Sequence, residues 1–483
     1  MSQYNPFVMR SAMKKIFALI SLFFLASLSD ALYANIADTY GCGGRGVGMG
    51  NAMVSLVDDW SSPYYNIAGL GRKPKKADLS DAKSKVSLVY KTLTGAKKKT
   101  VSEKDESKDK RVINNNELAI GYLYTMPLLN VSYPGATELK NMNSGALFLG
   151  LTMDLNTFIR MPYDLGLRFG VTAILEDDFG LGKVTDDDTQ VHYFLRYGRR
   201  IQRFLLNMGL GFEVWKEHLY LGIGSTIGVG GQGVVKIEEV NLTEEQQSPP
   251  TRSKLNLKPR QAPVAGISFK WEDLGPGTLN AGFAYRGELM LKIDPFDTQA
   301  TTTLGNVNMK MYIAIQDYYT PHEFVGGVAY TYNDFWIFKA CTWALDIEYQ
   351  MWSKYDLSAT QKSLATYEKP NFKDIIIYKF GMEETVRSWL KVRQGYIYEP
   401  AFTPDQTGRS NYLDNDKHIL SLGLGFIIPD VLILKVPLEV DVAYQYQYLL
   451  PRKSEKTNPT VYNPSYSYDG QVHTFMGSLR IRY

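Results

Sequence analysis

The sequence contains only two cysteines, Cys42 and Cys341, among 483 residues. Two thiolates alone are too few for a structural zinc site, which takes four Cys or His ligands. An exported chain passes an oxidising compartment, so a disulfide between the two cysteines stays open at this point. No Leu-Ala-Gly-Cys pattern precedes Cys42, and a lipoprotein anchor is therefore not expected.

Long apolar runs are also missing once the first thirty residues are passed. A transmembrane helix needs about 20 mainly apolar residues, so any membrane span in the remainder must be made of strands. The charge is nearly balanced, with a formal net charge of +3. Because no basic face with interleaved aromatic residues emerges, we expect no nucleic-acid partner.

Catalytic and cofactor motifs are lacking as well. The five histidines are scattered, and no His-Glu-x-x-His, Gly-x-Ser-x-Gly or paired-cysteine motif occurs. Gly41 to Gly46 matches the letters of a dinucleotide fingerprint, but the motif needs a preceding strand and a βαβ unit. Acid and histidine pairs such as Asp416 with His418 are better explained as solvated strand ends. The sequence therefore predicts no enzyme, no cofactor and no metal site.

The N-terminus has the pattern of a secretion signal. Lys14 and Lys15 precede an apolar run from Ile16 to Leu28, and small residues offer cleavage after Ala31 or Ala34. The run is too short for an ordinary spanning helix. We assign residues 1–34 to a signal peptide, whose start is either Met1 or Met13, followed by an N-terminal plug at 35–84 and a barrel at 85–483.

The chain is rich in strand formers and turn residues, with 33 tyrosines and 41 glycines. Apolar residues alternate through 204–214 and again through 219–229. A β-sandwich strand alternates too, so alternation alone does not select the fold. Charges at interior-looking positions, such as Asp346 with Glu348, favour a barrel with a polar lumen. The residues expected to face lipid include Leu206, Leu210, Leu221, Ile223, Leu479 and Ile481.

The fold class predicted is all-β, a transmembrane antiparallel β-barrel of about fourteen strands with a small plug in its lumen. The strands are placed at 85–93, 117–125, 145–155, 204–214, 219–229, 263–271, 279–291, 323–332, 336–349, 373–381, 388–398, 417–427, 437–448 and 472–483. Segment 156–203 leaves the count open, because Leu165 to Leu175 and Gln190 to Tyr197 can form a further hairpin and make sixteen. With fourteen strands, 156–203 is expected at the extracellular end. The charged tract Lys97 to Arg111 is expected to be a solvated loop.

The stretch from Gly41 to Leu70 is glycine-rich, then briefly helical in pattern, then sharply turned. It resembles the N-terminal hatch of the FadL-type outer-membrane transporters of long-chain fatty acids and hydrocarbons. The residues that carry this resemblance are Gly46, Met49, Gly50, Ala52, Asp58, Asp59, Asn66, Ala68, Gly69 and Leu70. One position departs from the family pattern, because Ile67 stands where the family usually has proline.

Two later segments are similar to the same family. Asp346, Tyr349, Trp352 and Ser353 match its Asp-x-x-Tyr-x-x-Trp-Ser strand, and 395–425 is similar to its segment with a Leu-Gly-Leu-Gly strand. The resemblance implies a monomeric barrel in the bacterial outer membrane, surrounded by outer-membrane lipid. It also implies passive uptake of a hydrophobic small molecule, such as a fatty acid or hydrocarbon. Such a molecule is captured by extracellular loops, passed to a pocket above the plug and released sideways.

Ligand-binding residues are expected in segment 156–203, whose apolar density is too high for an idle solvated loop. The residues proposed are Phe158, Arg160, Met161, Leu165, Phe169, Phe179, Phe194 and Tyr197. The alternative is that these side chains only pack the loop onto the barrel rim. The plug and gate residues proposed are Gly46, Gly50, Asp58, Asp59, Asn66, Ile67 and Ala68. A structural or adhesive surface barrel, or a porin for small polar solutes, remains the alternative function.

Overall fold

The computed structural model describes residues 36–73, 116–134, 141, 143–159, 161–176, 192–197, 204–240, 251–302, 308–355, 370–429, 434, 436–461 and 463–483. The predicted signal peptide, the strand at 85–93 and the charged tract Lys97 to Arg111 lie outside these residues. Within the described part of the chain, no helix has the length and apolar character needed to cross a membrane.

Fourteen antiparallel strands form a closed barrel, which confirms the predicted fold class and strand number. We number the barrel strands in chain order. They are β1 (Glu117–Ser132), β2 (Ser144–Asp154), β3 (Leu167–Glu176), β4 (Leu205–Trp215), β5 (Leu219–Val240), β6 (Thr251–Leu274), β7 (Gly277–Arg286), β8 (Glu323–Phe335), β9 (Phe338–Gln350), β10 (Ile375–Arg387), β11 (Leu390–Glu399), β12 (Lys417–Ile428), β13 (Leu438–Ser454) and β14 (Tyr466–Arg482). Each strand pairs with the next, and β14 closes the ring on β1, with Glu117 opposite Arg482.

The strand set differs from the prediction at one place that changes the topology. Leu167–Glu176 is a barrel strand, whereas the two residues Tyr193–Phe194 only pair with Tyr412–Leu413. With β3 in the ring and β1 as the first described strand, β2 runs opposite to the predicted direction. The connection 155–166 therefore lies at the same end as the turns 216–218, 275–276, 336–337 and 388–389, which we call the short-turn end. Short turns face the periplasm in outer-membrane barrels, and longer loops face outward.

Strand alternation places apolar side chains outside and polar ones inside. In β9, Leu345 and Ile347 are exposed on the outer surface, while Asp346 and Glu348 are buried in the lumen. β4 and β5 follow the predicted faces: Leu210 and Ile223 are exposed outward, and Asn207 is buried inside. Successive side chains of a strand point to opposite faces, so an outer apolar band and an inner polar lining follow directly from the sequence pattern.

A further hairpin extends the barrel wall at the end opposite the short turns, the long-loop end. The predicted strand 279–291 is interrupted at 287–288, and Leu289–Thr302 pairs with Asn308–Thr320 instead of entering the ring. The first strand of this hairpin also pairs in parallel with β5, with Gly231 opposite Ile293. The sixteen strands of the connected sheet therefore comprise the closed fourteen-stranded ring and this added hairpin.

Residues 36–73 fill the barrel lumen as the resemblance implied. They form short helices α1 (Ile36–Tyr40), α2 (Gly43–Gly48) and α3 (Ser62–Tyr65) and a 3₁₀ helix at Ile67–Gly71. Glycines permit close contact with the wall: a Cβ on Gly44 would lie 2.8 Å from the carbonyl oxygen of Asp441. Gly50 has a φ of +58° and lies against the backbones of Phe380 and Tyr396. Glycine adopts this conformation without a Cβ penalty, so the plug chain can turn where it contacts the wall.

Candidate functional site

Charged residues form the base on which the plug rests, toward the short-turn end. Arg45 of α2 donates to Asp58 over 2.9 Å, and Asp59 lies 3.0 Å from a guanidinium nitrogen of Arg480 on β14. Burial opposes the charge of Asp58, but Arg45 and the neighbouring arginines outweigh it and hold the pKa of this carboxyl below its ordinary value. Asp59 therefore pairs the plug with the wall, whereas Asp58 pairs with Arg45 inside the plug.

The same base continues around the wall, where Arg45 of the plug also lies 3.5 Å from Glu383 on β10. Arg393 on β11 donates to Glu383 over 2.7 Å and to Asp441 over 2.6 Å. Buried ion pairs of this kind tolerate little disturbance, because removing one partner leaves the other charge buried and uncompensated. The base is consequently the part of the lumen least suited to move during passage of an apolar molecule.

The turn at Asn66 follows the chemistry that its sequence predicts. The Asn66 side-chain oxygen accepts from the Ala68 amide over 3.1 Å, as turn asparagines commonly do. Its amide nitrogen donates to the carbonyl of Val54 over 2.7 Å and to that of Ile267 on β6 over 3.1 Å. The Tyr65 hydroxyl, one residue before this turn, donates to the side-chain oxygen of Asn51 over 2.7 Å. Asn66 thus joins the plug interior to the barrel wall.

The wall beside this turn is built from glycine over four neighbouring strands. We call this patch the glycine wall; it comprises Gly170, Gly209, Gly211, Gly222, Gly224 and Gly266. A Cβ at Gly170 or Gly211 would lie 2.5 Å from a carbon atom of Leu70, and one at Gly222 would lie 2.5 Å from the Ala68 nitrogen. Ile67 and Leu70 are fully buried against this surface. The barrel is therefore at its thinnest where the predicted gate residues Ile67 and Ala68 lie.

Arg168 on β3 holds the end of this plug segment. Its guanidinium donates to the Leu70 carbonyl over 2.6 Å and to the Gly69 carbonyl over 3.2 Å, and it also contacts the Arg72 carbonyl. The carbonyls at the end of a short helix otherwise lack partners, so a buried arginine satisfies several of them at once. Arg168 lies within the predicted segment 156–203 but was not proposed as a site residue.

An apolar cluster occupies one side of the lumen above the charged base. Its walls come from β1, β2, β3, β13 and β14, and its floor comes from the plug. Its members include Ile36, Tyr40, Val47, Trp60, Leu123, Phe148, Ile174, Phe194, Tyr197, Tyr466, Tyr468, Val472 and Met476. Trp60 connects this cluster to the glycine wall: its carbonyl accepts from Thr172 over 2.6 Å, two residues along β3 from Gly170.

The segment 192–197 covers this apolar cluster at the long-loop end. Tyr197 donates to Gln447 over 2.7 Å, and Arg196 lies 3.0 Å from Glu399. The guanidinium of Arg196 also lies over the rings of Trp352 and Phe402, 5.3 Å and 5.1 Å from their centroids. The covering segment is therefore bound to three parts of the lumen wall, and its arginine already has a carboxylate partner.

The opposite side of the upper lumen is polar. A small cavity lies there between the plug and β7 to β10, lined by Ala37, Asp38, Asn51, Val54, Tyr64, Tyr65, Arg286, Glu323, Val325, Asp346, Glu348, Gln350 and Lys379. Arg286 lies 2.9 Å from Asp38 of the plug and 3.2 Å from Glu323. An apolar molecule gains nothing in this cavity, because it would displace water from charged groups without replacing their hydrogen bonds. The apolar cluster is the more suitable place for such a molecule.

The predicted ligand residues are divided between three places. Phe194 and Tyr197 are buried in the apolar cluster, as expected of an apolar site. The other described residues lie elsewhere, so segment 156–203 does not form one extracellular site. Phe158, Met161 and Leu165 lie in the connection at the short-turn end, and Phe169 lies on the outward face of β3. Arg160 and Phe179 lie outside the described residues.

The sequence-based prediction of ligand residues did not include several residues of the cluster, among them Leu123, Phe148 and Trp60. The sequence did carry a signal for Phe148, because 145–151 reads Gly-Ala-Leu-Phe-Leu-Gly-Leu and is apolar or small on both faces. A strand that is apolar on both faces indicates burial on both faces. Tyr40 and Trp60 gave no comparable signal, since their positions depend on how the plug is packed.

Cysteine and metal chemistry add nothing to this site. Cys42 and Cys341 are both free and buried, so the disulfide left open by the sequence is not formed. Among the described residues, no group of three or more His, Cys, Asp or Glu side chains is arranged to hold a metal ion.

No family model matches the chain. Alkane uptake protein A of Marinobacter nauticus is 25% identical to it over 391 residues, which cover 76% of this chain and 82% of that protein. A Pseudomonas aeruginosa FadL homologue of known structure is 13% identical, with a TM-score of 0.52 over 94% of this chain and 100% of that one. A deltaS2 mutant of the TodX monoaromatic hydrocarbon channel is 11% identical, with a TM-score of 0.50 over 92% of this chain and 100% of that one.

The two structural similarities concern the fold, whereas the similarity to the Marinobacter protein extends through most of both sequences. The hatch-like motif lies inside a closed fourteen-stranded barrel, at the position that the sequence resemblance implied. The chain therefore has the fold of the FadL-type outer-membrane β-barrels and is similar in sequence to an alkane uptake protein.

Proposed function

We propose that this barrel takes up hydrophobic molecules passively across the outer membrane, and that alkanes are the best-supported class. The observation that carries the proposal is the apolar cluster above the plug, which adjoins the glycine wall through Trp60. Burying a methylene group is worth about 0.8 kcal/mol, so a long alkane gains substantially from such a surface. The protein acts as a monomer surrounded by outer-membrane lipid and catalyses no reaction.

A neutral ligand is favoured over a fatty acid by the charges on the covering segment. A fatty-acid carboxylate needs a cation or several hydrogen-bond donors when it is buried. Arg196 is engaged with Glu399 and Gln350, and Lys417 is engaged with Glu399 over 3.0 Å. The name of the Marinobacter relative, alkane uptake protein, agrees with this choice.

The proposed route begins at the long-loop end, passes the segment 192–197 and reaches the apolar cluster. From there the molecule passes Trp60 and the segment Asn66–Gly71 and leaves sideways through the region of the glycine wall. Two features support this exit: the glycines of the wall present no side chains to the lumen, and the plug residues against them come from the short segment 63–71. The hydrocarbon core of the membrane is a favourable destination for an apolar molecule, so no energy source is needed.

Uptake by reconstituted protein tests the function. Vesicles whose outer leaflet contains lipopolysaccharide should take up radiolabelled hexadecane faster with the protein than without it. Labelled glucose should enter at the same rate in both preparations. Accelerated glucose entry without accelerated hexadecane entry would support a porin for polar solutes, through the polar cavity, and would contradict the proposal.

Three variants test the exit separately from binding. Gly170→Ala should push Leu70 into the passage and slow uptake, while equilibrium binding of hexadecane is retained. Adding Leu70→Ala should restore uptake, because the contacting atoms of Leu70 are the ends of its side chain. Asn66→Ala should also reduce uptake more than binding. If binding and uptake fall in equal proportion in all three variants, the segment only packs the plug and the exit lies elsewhere.

A further inference from the structure

The connection between β2 and β3 differs from its neighbours at the short-turn end. The turns 216–218, 275–276, 336–337 and 388–389 have two or three residues and the connection 429–437 has nine, whereas this connection has the twelve residues 155–166. It includes two 3₁₀ turns, Leu155–Thr157 and Pro162–Asp164. Periplasmic turns of outer-membrane barrels are ordinarily short, so the additional length needs a reason.

Hydrogen bonds hold this connection in a fixed shape. Asn156 donates through its side chain to the Leu165 carbonyl over 2.7 Å and accepts from the Leu167 amide over 3.1 Å. Asp154 accepts from the Asn156 amide over 3.0 Å. At its far end, the Gly166 amide donates to the carboxylate of Glu213 on β4 over 2.9 Å. These bonds join the two ends of the turn and attach it to the next strand pair.

The fixed turn nevertheless leaves large apolar side chains exposed. Phe158 is 59% exposed, Ile159 is 49% exposed and Tyr163 is 88% exposed. Tyr163 also has a φ of +56°, in the left-handed region that a bulky side chain rarely adopts. Such backbone strain persists only where the surrounding structure imposes it, and it is commonest at functional positions. The turn therefore presents an apolar surface that the described structure does not cover.

We propose that this turn is an interfacial anchor, whose Phe158, Ile159 and Tyr163 side chains lie at the headgroup and upper acyl level of the inner leaflet. The partner is glycerophospholipid. The surface continues an established one, because the same end of the barrel carries the exposed indoles of Trp215, Trp271 and Trp336, as expected for a membrane interface. Aromatic and aliphatic side chains together favour this level of the bilayer.

The composition of the turn distinguishes it from a water-exposed connection. Between residues 155 and 166 the sequence has one arginine and one aspartate, whereas the three-residue turn 216–218 contains Lys, Glu and His. A soluble periplasmic partner is the competing occupant. It is less favoured because the surface lies at the ends of β2 and β3, next to the exposed apolar side chains of the outer barrel face.

Spin-label accessibility of the full-length protein tests the proposal. Labels are placed at Phe158→Cys and Tyr163→Cys in a Cys42→Ala, Cys341→Ala background, in vesicles of phosphatidylethanolamine and phosphatidylglycerol. Two control labels frame the result: Ile223→Cys on the outer apolar face and Lys216→Cys on the neighbouring charged turn. Collision rates are measured with oxygen, which enters the bilayer, and with a nickel chelate, which stays in water.

Both turn labels should give an oxygen-to-nickel ratio several-fold above that of the Lys216 label and below that of the Ile223 label, as expected for the headgroup and upper acyl level. A ratio equal to that of Lys216 would mean that the surface faces water, and it would overturn the proposal whether or not the protein transports alkanes. Tyr163→Trp and Lys216→Trp give a second measurement without replacing the cysteines. Brominated acyl chains should quench the added emission of the first variant several-fold more than that of the second; equal quenching overturns the proposal.

Discussion

The two sides of the upper lumen share the same strand alternation but carry different inward side chains, apolar on one side and charged on the other. On the side of β1 to β3, inward positions carry apolar residues such as Leu123, Phe148 and Ile174, which meet the rings of the plug. On the side of β7 to β10, inward positions carry Arg286, Glu323, Glu348 and Lys379, which bind the plug and one another through ion pairs. Ion pairs thus hold the plug on one side of the upper lumen. Non-directional apolar contacts hold it on the other side.

This difference teaches how a filled barrel can transmit an apolar molecule without releasing its plug. Apolar contacts are non-directional, so a hydrocarbon can replace side-chain contacts at little cost. Buried ion pairs cannot be replaced in this way, because neither partner can be left without its counter-charge. We therefore expect the polar side and the charged base to remain in place while the apolar side rearranges.

The largest effect should come from breaking the polar side. Arg286→Met leaves Asp38 and Glu323 without the cation that lies 2.9 Å and 3.2 Å from them. Removing one partner of a buried pair costs about 3 to 5 kcal/mol. Urea unfolding of the purified protein should show a loss of this size, and adding Glu323→Met should recover part of it. An unchanged midpoint in the single variant would mean that these charges do not hold the plug.

A somewhat smaller effect is expected on the apolar side, and there the ligand should reverse it. Leu123 is fully buried in the apolar cluster, and Leu→Ala in such a position costs about 2 to 5 kcal/mol. Hexadecane should restore part of this stability by filling the space, since a ligand that binds only the folded state stabilises it.

Leu205→Ala is the matched control for that measurement. Leu205 is equally buried but belongs to a separate cluster with Ala262, Leu289 and Leu291. Its loss of stability should be similar, and hexadecane should not restore it. Equal recovery in both variants would show that the alkane acts through general partition into the protein or detergent, which would remove the distinction between the two sides.

The smallest effect should be a pH dependence of the segment that covers the apolar cluster. His192 lies between the rings of Tyr133 and Tyr466, 4.6 Å and 4.4 Å away. Burial, reinforced by the charge of Lys456, lowers the pKa of His192 from 6.5 to about 4. The unfolded segment therefore binds the proton more readily, and stability should fall as the pH drops from about 6.5 to about 4.

Hydrogen exchange of segment 192–197 at pH 7 and at pH 4.5 measures this effect. Exchange should be faster at the lower pH, and His192→Phe should reduce the difference while leaving exchange in β4 unchanged. The effect should be small because the ring is only half-buried. A pH dependence that persists unchanged in His192→Phe would assign it to another group.

The sequence predicted those features that depend on neighbouring residues. The faces of β4 and β5 follow from alternation within 204–214 and 219–229, and the Asn66 hydrogen bond follows from local turn chemistry. The side on which 156–166 lies could not be obtained in this way, because it depends on how many strands precede β2. Leu167–Glu176 was not counted among the fourteen predicted strands. Phe158 was therefore predicted at the long-loop end, whereas it lies at the short-turn end.

The apolar cluster was only partly predictable for a related reason. Phe194 and Tyr197 were found because apolar residues are concentrated in their segment. Leu123 and Phe148 were placed on barrel strands but were not predicted to face the lumen as apolar residues. The general rule that the lumen is polar does not apply at this part of the wall. The pairing of these residues with Tyr40 and Trp60 results from the packing of the plug inside the closed ring, and no short stretch of sequence carries that information.

Photolabelling tests most directly whether an apolar molecule occupies one side of the plug and avoids the other. A long alkane carrying a diazirine is bound to the reconstituted protein, photolysed and located by mass spectrometry, with excess hexadecane as competitor. We predict competed adducts at Tyr40, Trp60, Leu123, Phe148 and Met476. Competed adducts at Val325, Asp346 or Glu348, with none in the apolar cluster, would contradict the account.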